Sequence, residues 1–204
     1  MTNPAVFAIV AVVTAVVSVT VGCASSSGRE VAASSQPVAA SPAPAPATAR
    51  FPDDWLGRWT GPAQQIQPDG RVMDFRVELD FHRTDDPTRF MWKLVYAGEM
   101  GRQVRNYEFV VIDEATGRYA IDEKSSIVIP MCKVGEVLYS AFSIEDVTIV
   151  GHDRLINFGR PDEHWLAELV TFPASDTESS GGERNMPKVG GRRPSNVQRA
   201  ILRR

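Results

Sequence analysis

The thiols of this chain are Cys23 and Cys132, and its histidines are His82, His152 and His164. These five side chains, with several paired carboxylates, are where reactive chemistry would reside. No two histidines have a His-x-x-x-His spacing, and no pair of cysteines stands ready for zinc, so no metal site is assigned. His82 in "FHRTDD" and His152 in "GHD" read as solvated turn residues, and His164 as a rim residue. Cys132 lies among apolar residues in "IVIPMCKVG", far in sequence from any histidine, and reads as a buried, inert thiol. The pairs Asp85-Asp86, Asp113-Glu114, Asp122-Glu123, Glu145-Asp146 and Asp162-Glu163 fall mostly at strand ends. Neighbouring side chains of a strand face opposite sides, so such pairs rarely cooperate. A Gly-x-Ser-x-Gly elbow, a phosphate loop and a dinucleotide fingerprint are all missing. No catalytic residue and no cofactor are assigned, and a non-enzymatic protein is expected.

Cys23 has a different setting. Residues 1–28 hold no Asp, Glu, Lys, Arg or His, and Ala5–Val21 is a 17-residue run of apolar residues broken only by Thr and Ser. The run is short for a membrane span, which needs about 20 residues, and it suits the apolar region of a secretory signal. It leads into Val19-Thr20-Val21-Gly22-Cys23. This stretch resembles the lipobox of bacterial lipoprotein signals. The resemblance implies a signal peptide over 1–22 and a mature chain beginning at a lipidated Cys23. Acyl chains there, at about 0.8 kcal/mol per buried methylene, would anchor the protein to a membrane outside the cytoplasm, in the cell envelope. An uncleaved helical anchor and ordinary cleavage remain as alternatives, and all three place the body outside the cytoplasm.

The elements that follow divide by composition. In residues 24–50, 19 of 27 are Ala, Ser or Pro. Such a segment cannot bury enough apolar surface to offset its ordering entropy, and residues 23–50 read as a disordered linker. Residues 51–173 carry 13 Lys/Arg against 21 Asp/Glu, and residues 174–204 carry 7 against 3. An acidic body argues against nucleic acid as a partner. The basic region 174–204 reads as a mostly disordered tail suited to an anionic surface. Its end, "PSNVQRAILRR", reads as either a frayed tail or a short helix capped by Ser195.

Within 51–173 the dominant hydrophobic period is two. In "VMDFRVELDF", Met73, Phe75, Val77, Leu79 and Phe81 share one face, and Asp74, Arg76, Glu78 and Asp80 the other. "RFMWKLVYA", "VRNYEFVVI", "RYAI", "SSIVIPM", "VLYSAFSI", "VTIV", "RLINF" and "HWLAELVTF" follow between turns, after "GRWTGPAQQIQ" at the front. "GHD" reads as the turn between "VTIV" and "RLINF". The expected fold class is all-β: an up-and-down antiparallel β-barrel of 8–10 strands. The opening Gly57-x-Trp59-x-Gly61 is similar to the Gly-x-Trp start of lipocalin-like (calycin) barrels and of nitrobindin-like haem barrels. That resemblance implies structural roles for Gly57 and Trp59, with Trp59 plugging one barrel end. Nitrobindin-like barrels hold haem through a histidine near the C-terminus; the tail here has none, and haem is not assigned.

A barrel of this size is either filled by its side chains or holds one small ligand. The candidate lining is Phe75, Trp92, Tyr96, Tyr107, Phe109, Phe142 and Glu168. Two registers of "VRNYEFVVI" stay open, one with Tyr107 and Phe109 inside, the other burying Glu108. Glu168 shares a face with Leu166, Val170 and Phe172; an inward Glu168 would orient a ligand or pair with an arginine that closes the barrel. The functional expectation is a membrane-anchored envelope lipoprotein whose barrel binds a small apolar or amphipathic molecule. The alternative is a filled, non-catalytic barrel that presents its surface to a protein or glycan.

Overall fold

The computed structural model describes residues 48–99, 101–173, 177–182 and 187–204. The signal segment, Cys23 and almost all of the linker lie outside the described residues. Nine strands run as an antiparallel meander: β1 (Gly57–Ile66), β2 (Val72–Arg83), β3 (Arg89–Gly98), β4 (Gly101–Asp113), β5 (Arg118–Asp122), β6 (Val128–Val134), β7 (Val137–Ile144), β8 (Val147–Ile156) and β9 (His164–Pro173). A hairpin of β10 (Thr177–Gly181) and β11 (Lys188–Arg192) forms its own two-stranded sheet. The last strand, β12 (Asn196–Leu202), inserts between β9 and β1 and closes the barrel at ten strands. The all-β, closed antiparallel barrel is the architecture that the period of two predicts.

The tail departs from expectation. "SNVQRAIL" forms neither a helix nor a frayed end. Ser195 donates its backbone N–H to Thr171 O at 2.7 Å and leads into a strand, not a helix cap. The stretch is short enough to satisfy either period. What selects the strand is the gap it fills: β1 and β9 each present a row of backbone donors and acceptors that water or another strand must satisfy. β12 pairs with both, Ala200 lying opposite Ala63 on one side and Ala167 on the other.

A second departure is at "GHD". β8 runs straight through it, and Gly151, His152 and Asp153 are paired in register on both sides. Gly151 is buried beneath the side chains of Leu169 and Ser140, where a methyl group would collide. The expected count of about ten strands therefore splits differently: "VTIV" and "RLINF" are one strand, and the tenth comes from the tail.

One barrel end is packed solid with aromatic rings. Trp59, Trp165, Phe81 and Phe109 are fully buried there. The segment before β1 crosses this end, with Ala49 buried and a short 3-10 turn, Asp53–Trp55, tucking Trp55 under Trp165 at a ring separation of 4.8 Å. Trp59 Nε1 donates to Trp55 O at 2.9 Å. Gly57 carries φ +136°, a backbone region that favours glycine. Gly61, two turns of the pleat onward, lies close against β12: a Cβ there would lie 2.0 Å from Ile201 O. The C-terminal Arg204 lies over the Trp59 ring, 4.5 Å from its centre, and reaches Glu163 at 3.5 Å. Arg204→Ala is expected to lower stability by about 1 kcal/mol, read as a reduced urea midpoint with unchanged m-value, because the guanidinium covers the plug as well as pairing with it.

Candidate functional site

The register fixes which side chains face the interior. Leu79 opposes Trp59 and Leu94, and Phe90 opposes Phe109, so these and their alternates point inward. In β4 this places Arg105, Tyr107, Phe109 and Val111 inside and Glu108 outside. Glu108 accepts from Lys124 at 2.7 Å and Arg89 at 2.6 Å, which hold its carboxyl below the usual range.

The interior divides into two halves. At the plug end, Trp92 and Phe109 are buried and stack on each other at 5.7 Å. These two expected lining residues belong to the packed floor. In the other half, Phe75, Tyr96, Tyr107, Ile129, Phe142 and Leu169 point inward yet stay half-buried. In a closed barrel such side chains meet water through the end opposite the plug. Phe75 and Tyr96 lie 6.3 Å apart along one wall of this half. Polar inward groups are interspersed: Gln198 donates to Gln65 at 3.2 Å, and Arg105 to Gln103 at 3.3 Å. Glu123, directly after β5, lies near enough to Tyr107 for its charge to act on the phenol. Burial raises the Tyr107 hydroxyl well above its ordinary value, with Glu123 adding to the effect. Burial likewise pushes Tyr96 up to about 12. Both phenols stay protonated at neutral pH and remain hydrogen-bond donors.

Asp153 is the residue that sequence reasoning missed, because it was placed in a turn. It lies on the inner face of β8 between Leu138 of β7 and Ala167 of β9. Its Oδ1 accepts from Trp165 Nε1 at 2.7 Å. The other carboxyl oxygen has no protein partner among the described residues. Burial pushes the acid up to about 6, against a smaller lowering by the Trp165 bond, and no arginine or lysine acts on it. The available signal was Gly151 before it: a glycine inside a strand often marks close packing and does not by itself end the strand.

Glu168 requires a correction. It faces outward, with Leu166, Val170 and Phe172, while Trp165, Ala167, Leu169 and Thr171 face in. β9 is apolar on both faces, so its pattern alone does not choose; the need to seat Trp165 in the plug does. Glu168 pairs with Arg199 of the closing strand at 2.9 Å and with His152 at 3.3 Å. Partial burial pushes its carboxyl up, but Arg199 and His152 outweigh this and hold it below its ordinary value. The expected arginine partner is present, on the outside wall. His152 is thus a strand residue, not a turn residue.

Cys132 also differs from expectation. It is exposed on the outer face of β6, because Met131 and Lys133 take the inward positions opposite Ser140 and Leu138. Of the tail cations, Arg193 pairs with Glu178, Arg199 with Glu168 and Arg204 with Glu163, so much of the tail's charge is engaged within the protein. A surface pocket of about 430 Å³ lies at the plug end, lined by Phe51, Tyr119, Lys133, Gly135 and the 114–117 turn. Among the described residues, no three His, Cys, Asp or Glu side chains converge to hold a metal ion.

The fold and its lumen define a closed ten-strand antiparallel barrel with one packed end and one water-reached, amphipathic half. No family model and no curated protein matches the chain. Among solved structures, it is similar to the S-type phycobiliprotein lyase CPES from Guillardia theta, at 7% sequence identity and a TM-score of 0.46, over 74% of this chain and 90% of that one. That likeness concerns the barrel alone. The similar structure is described as a lyase, and the expectation of a non-enzyme is not carried forward.

Proposed function

We propose that this protein is a lipid-anchored component of a cell envelope, held at Cys23, whose barrel binds a small amphipathic molecule in the half of its interior away from the plug. The observation that carries the binding role is the half-exposure of inward residues such as Phe75, Tyr96 and Phe142 in a closed barrel. Apolar walls with a few placed polar groups are the usual lining of small-molecule sites. The Gly57-x-Trp59 opening, with Arg204 across Trp59, supports a lipocalin-like reading of the barrel. The anchor rests on the sequence at Val19–Cys23, and the linker ahead of the packed Ala49 segment, residues 24–47, if extended, would reach roughly 75 Å at about 3.1 Å per residue, enough to hold the barrel clear of a membrane.

Native mass spectrometry of the membrane-extracted protein tests the binding role. A non-covalent mass beyond the acylated polypeptide is expected, lost on denaturation. An extracted protein that carries nothing and takes up no amphiphile would overturn it. Metabolic acyl labelling tests the anchor: label is expected in the native protein and absent from Cys23→Ser. Label that persists in the variant defeats the lipidation.

A further inference from the structure

Asp153 is an unusual occupant of a barrel floor. Its neighbours in register, Leu138 and Ala167, are apolar, and its one protein hydrogen bond comes from the Trp165 indole at 2.7 Å. The other titratable groups on inward positions are Tyr96 on β3, Arg105 and Tyr107 on β4, Tyr119 on β5, Glu123 after β5 and Lys133 on β6. The two cations among these are engaged elsewhere: Arg105 bonds Gln103 on its own strand, and Lys133 bonds Gly135 O in the turn after β6, so neither forms an ion pair with Asp153. The floor therefore holds a carboxylate with one indole donor and no counter-charge. Asp153 is half-buried, and a carboxylate drawn this far out of water loses solvation that a paired cation would restore.

We propose that the lumen selects amphipathic molecules with a cationic head that also donates hydrogen bonds, such as a primary ammonium, and that Asp153 receives that head at the floor. This rests on the lumen being the binding site. The apolar body of the ligand lies along the Phe75, Tyr96 and Phe142 walls. The head donates to the Asp153 oxygen that Trp165 leaves free, and its charge replaces the missing cation. An anionic head is rejected, because it would bring like charges together in a low-dielectric floor.

Three probes with one apolar body test this: 4-phenylbutylammonium, 4-phenylbutanol and 4-phenylbutyrate. Binding isotherms are measured at pH 7.5 on the full chain in zwitterionic detergent, with the detergent blank subtracted. The ammonium is expected to bind at least tenfold more tightly than the carboxylate. Asp153→Asn is expected to bring the ammonium within about twofold of the alcohol, and to weaken the ammonium by a larger factor than the alcohol. Equal binding of all three overturns the role of Asp153 and leaves the lumen site standing. So does an ammonium preference that survives Asp153→Asn, or one that is lost instead in Glu123→Gln, which would put the head near the mouth. If none of the three binds, the lumen site itself falls, and this inference with it.

Discussion

Replacing Gly61 with alanine is expected to lower stability by about 3 kcal/mol or more and Tm by about 10 °C. The new methyl group would lie 2.0 Å from Ile201 O, a backbone atom of the closing strand. No rotamer relieves that contact, so β12 must shift away from β1 and weaken the Ala63–Ala200 and Gln65–Gln198 pairings. Gly190→Ala is the control: a methyl group there meets nothing within 4 Å, and Tm should not change. Removing residues 195–204 goes further. It strips β12 away and exposes the edges of β1 and β9, which invites edge-to-edge association. The truncated chain is expected to lose its β-type circular dichroism or to aggregate. A soluble, monomeric, fully folded truncation would show that β12 is an accessory and not the closing strand.

The second large effect has the opposite sign. Asp153→Asn is expected to stabilise the barrel at pH 7.5 by about 1–3 kcal/mol. Asparagine keeps an oxygen for the Trp165 indole and removes a charge that burial disfavours. The pH dependence follows from an acid raised to about 6 in the fold against an ordinary 3.8. Well below pH 3.8 the carboxyl is neutral in both folded and unfolded chains and the variant has no advantage, and at pH 3.5 that advantage is only a few tenths of a kcal/mol. As pH rises through the window up to about 6, the unfolded chain ionises first, and the native protein loses stability relative to the variant. Above that window the difference is complete. Urea denaturation at pH 3.5 and 7.5 measures both limits. A gain that persists at full size at pH 3.5, or a loss at pH 7.5, would show that ionisation of Asp153 is not the cause. A carboxylate that weakens the apo fold is what a binding residue awaiting a cation would look like, which links this measurement to the probe experiment.

Much of the fold was readable because its strands are wet outside and greasy inside. In β2 every second residue from Met73 to Phe81 is apolar, and that alternation alone sets strand and face. β4 was readable as a strand but not as to face, since Tyr107, Phe109 and Val111 alternate with Glu108 and Val110; the partner Phe90 on β3 and the cations Arg89 and Lys124 outside resolve it. β9 and β6 misled. β9 is apolar on both faces, so Glu168 was assigned to the wrong choice of sides. In β6 a small thiol in an apolar run looked like core, although the register gives the core to Met131.

The site was less legible than the barrel. Phe75, Tyr96, Tyr107 and Phe142 could be picked as lining from their alternation, but the split into a packed floor and a wet lumen depends on Trp55 and Phe51 crossing one end, which no period encodes. Asp153 was hidden by "GHD", three residues with turn chemistry that the neighbouring strands β7 and β9 hold extended. The local pattern therefore establishes an antiparallel barrel with an acidic surface, because alternating polarity is a property of each strand alone. Closure by the tail, the outward side for Glu168 and the inward carboxyl at the floor come from partners distant in sequence: an unpaired edge, a plugging tryptophan and a strand register act only once the chain has come together.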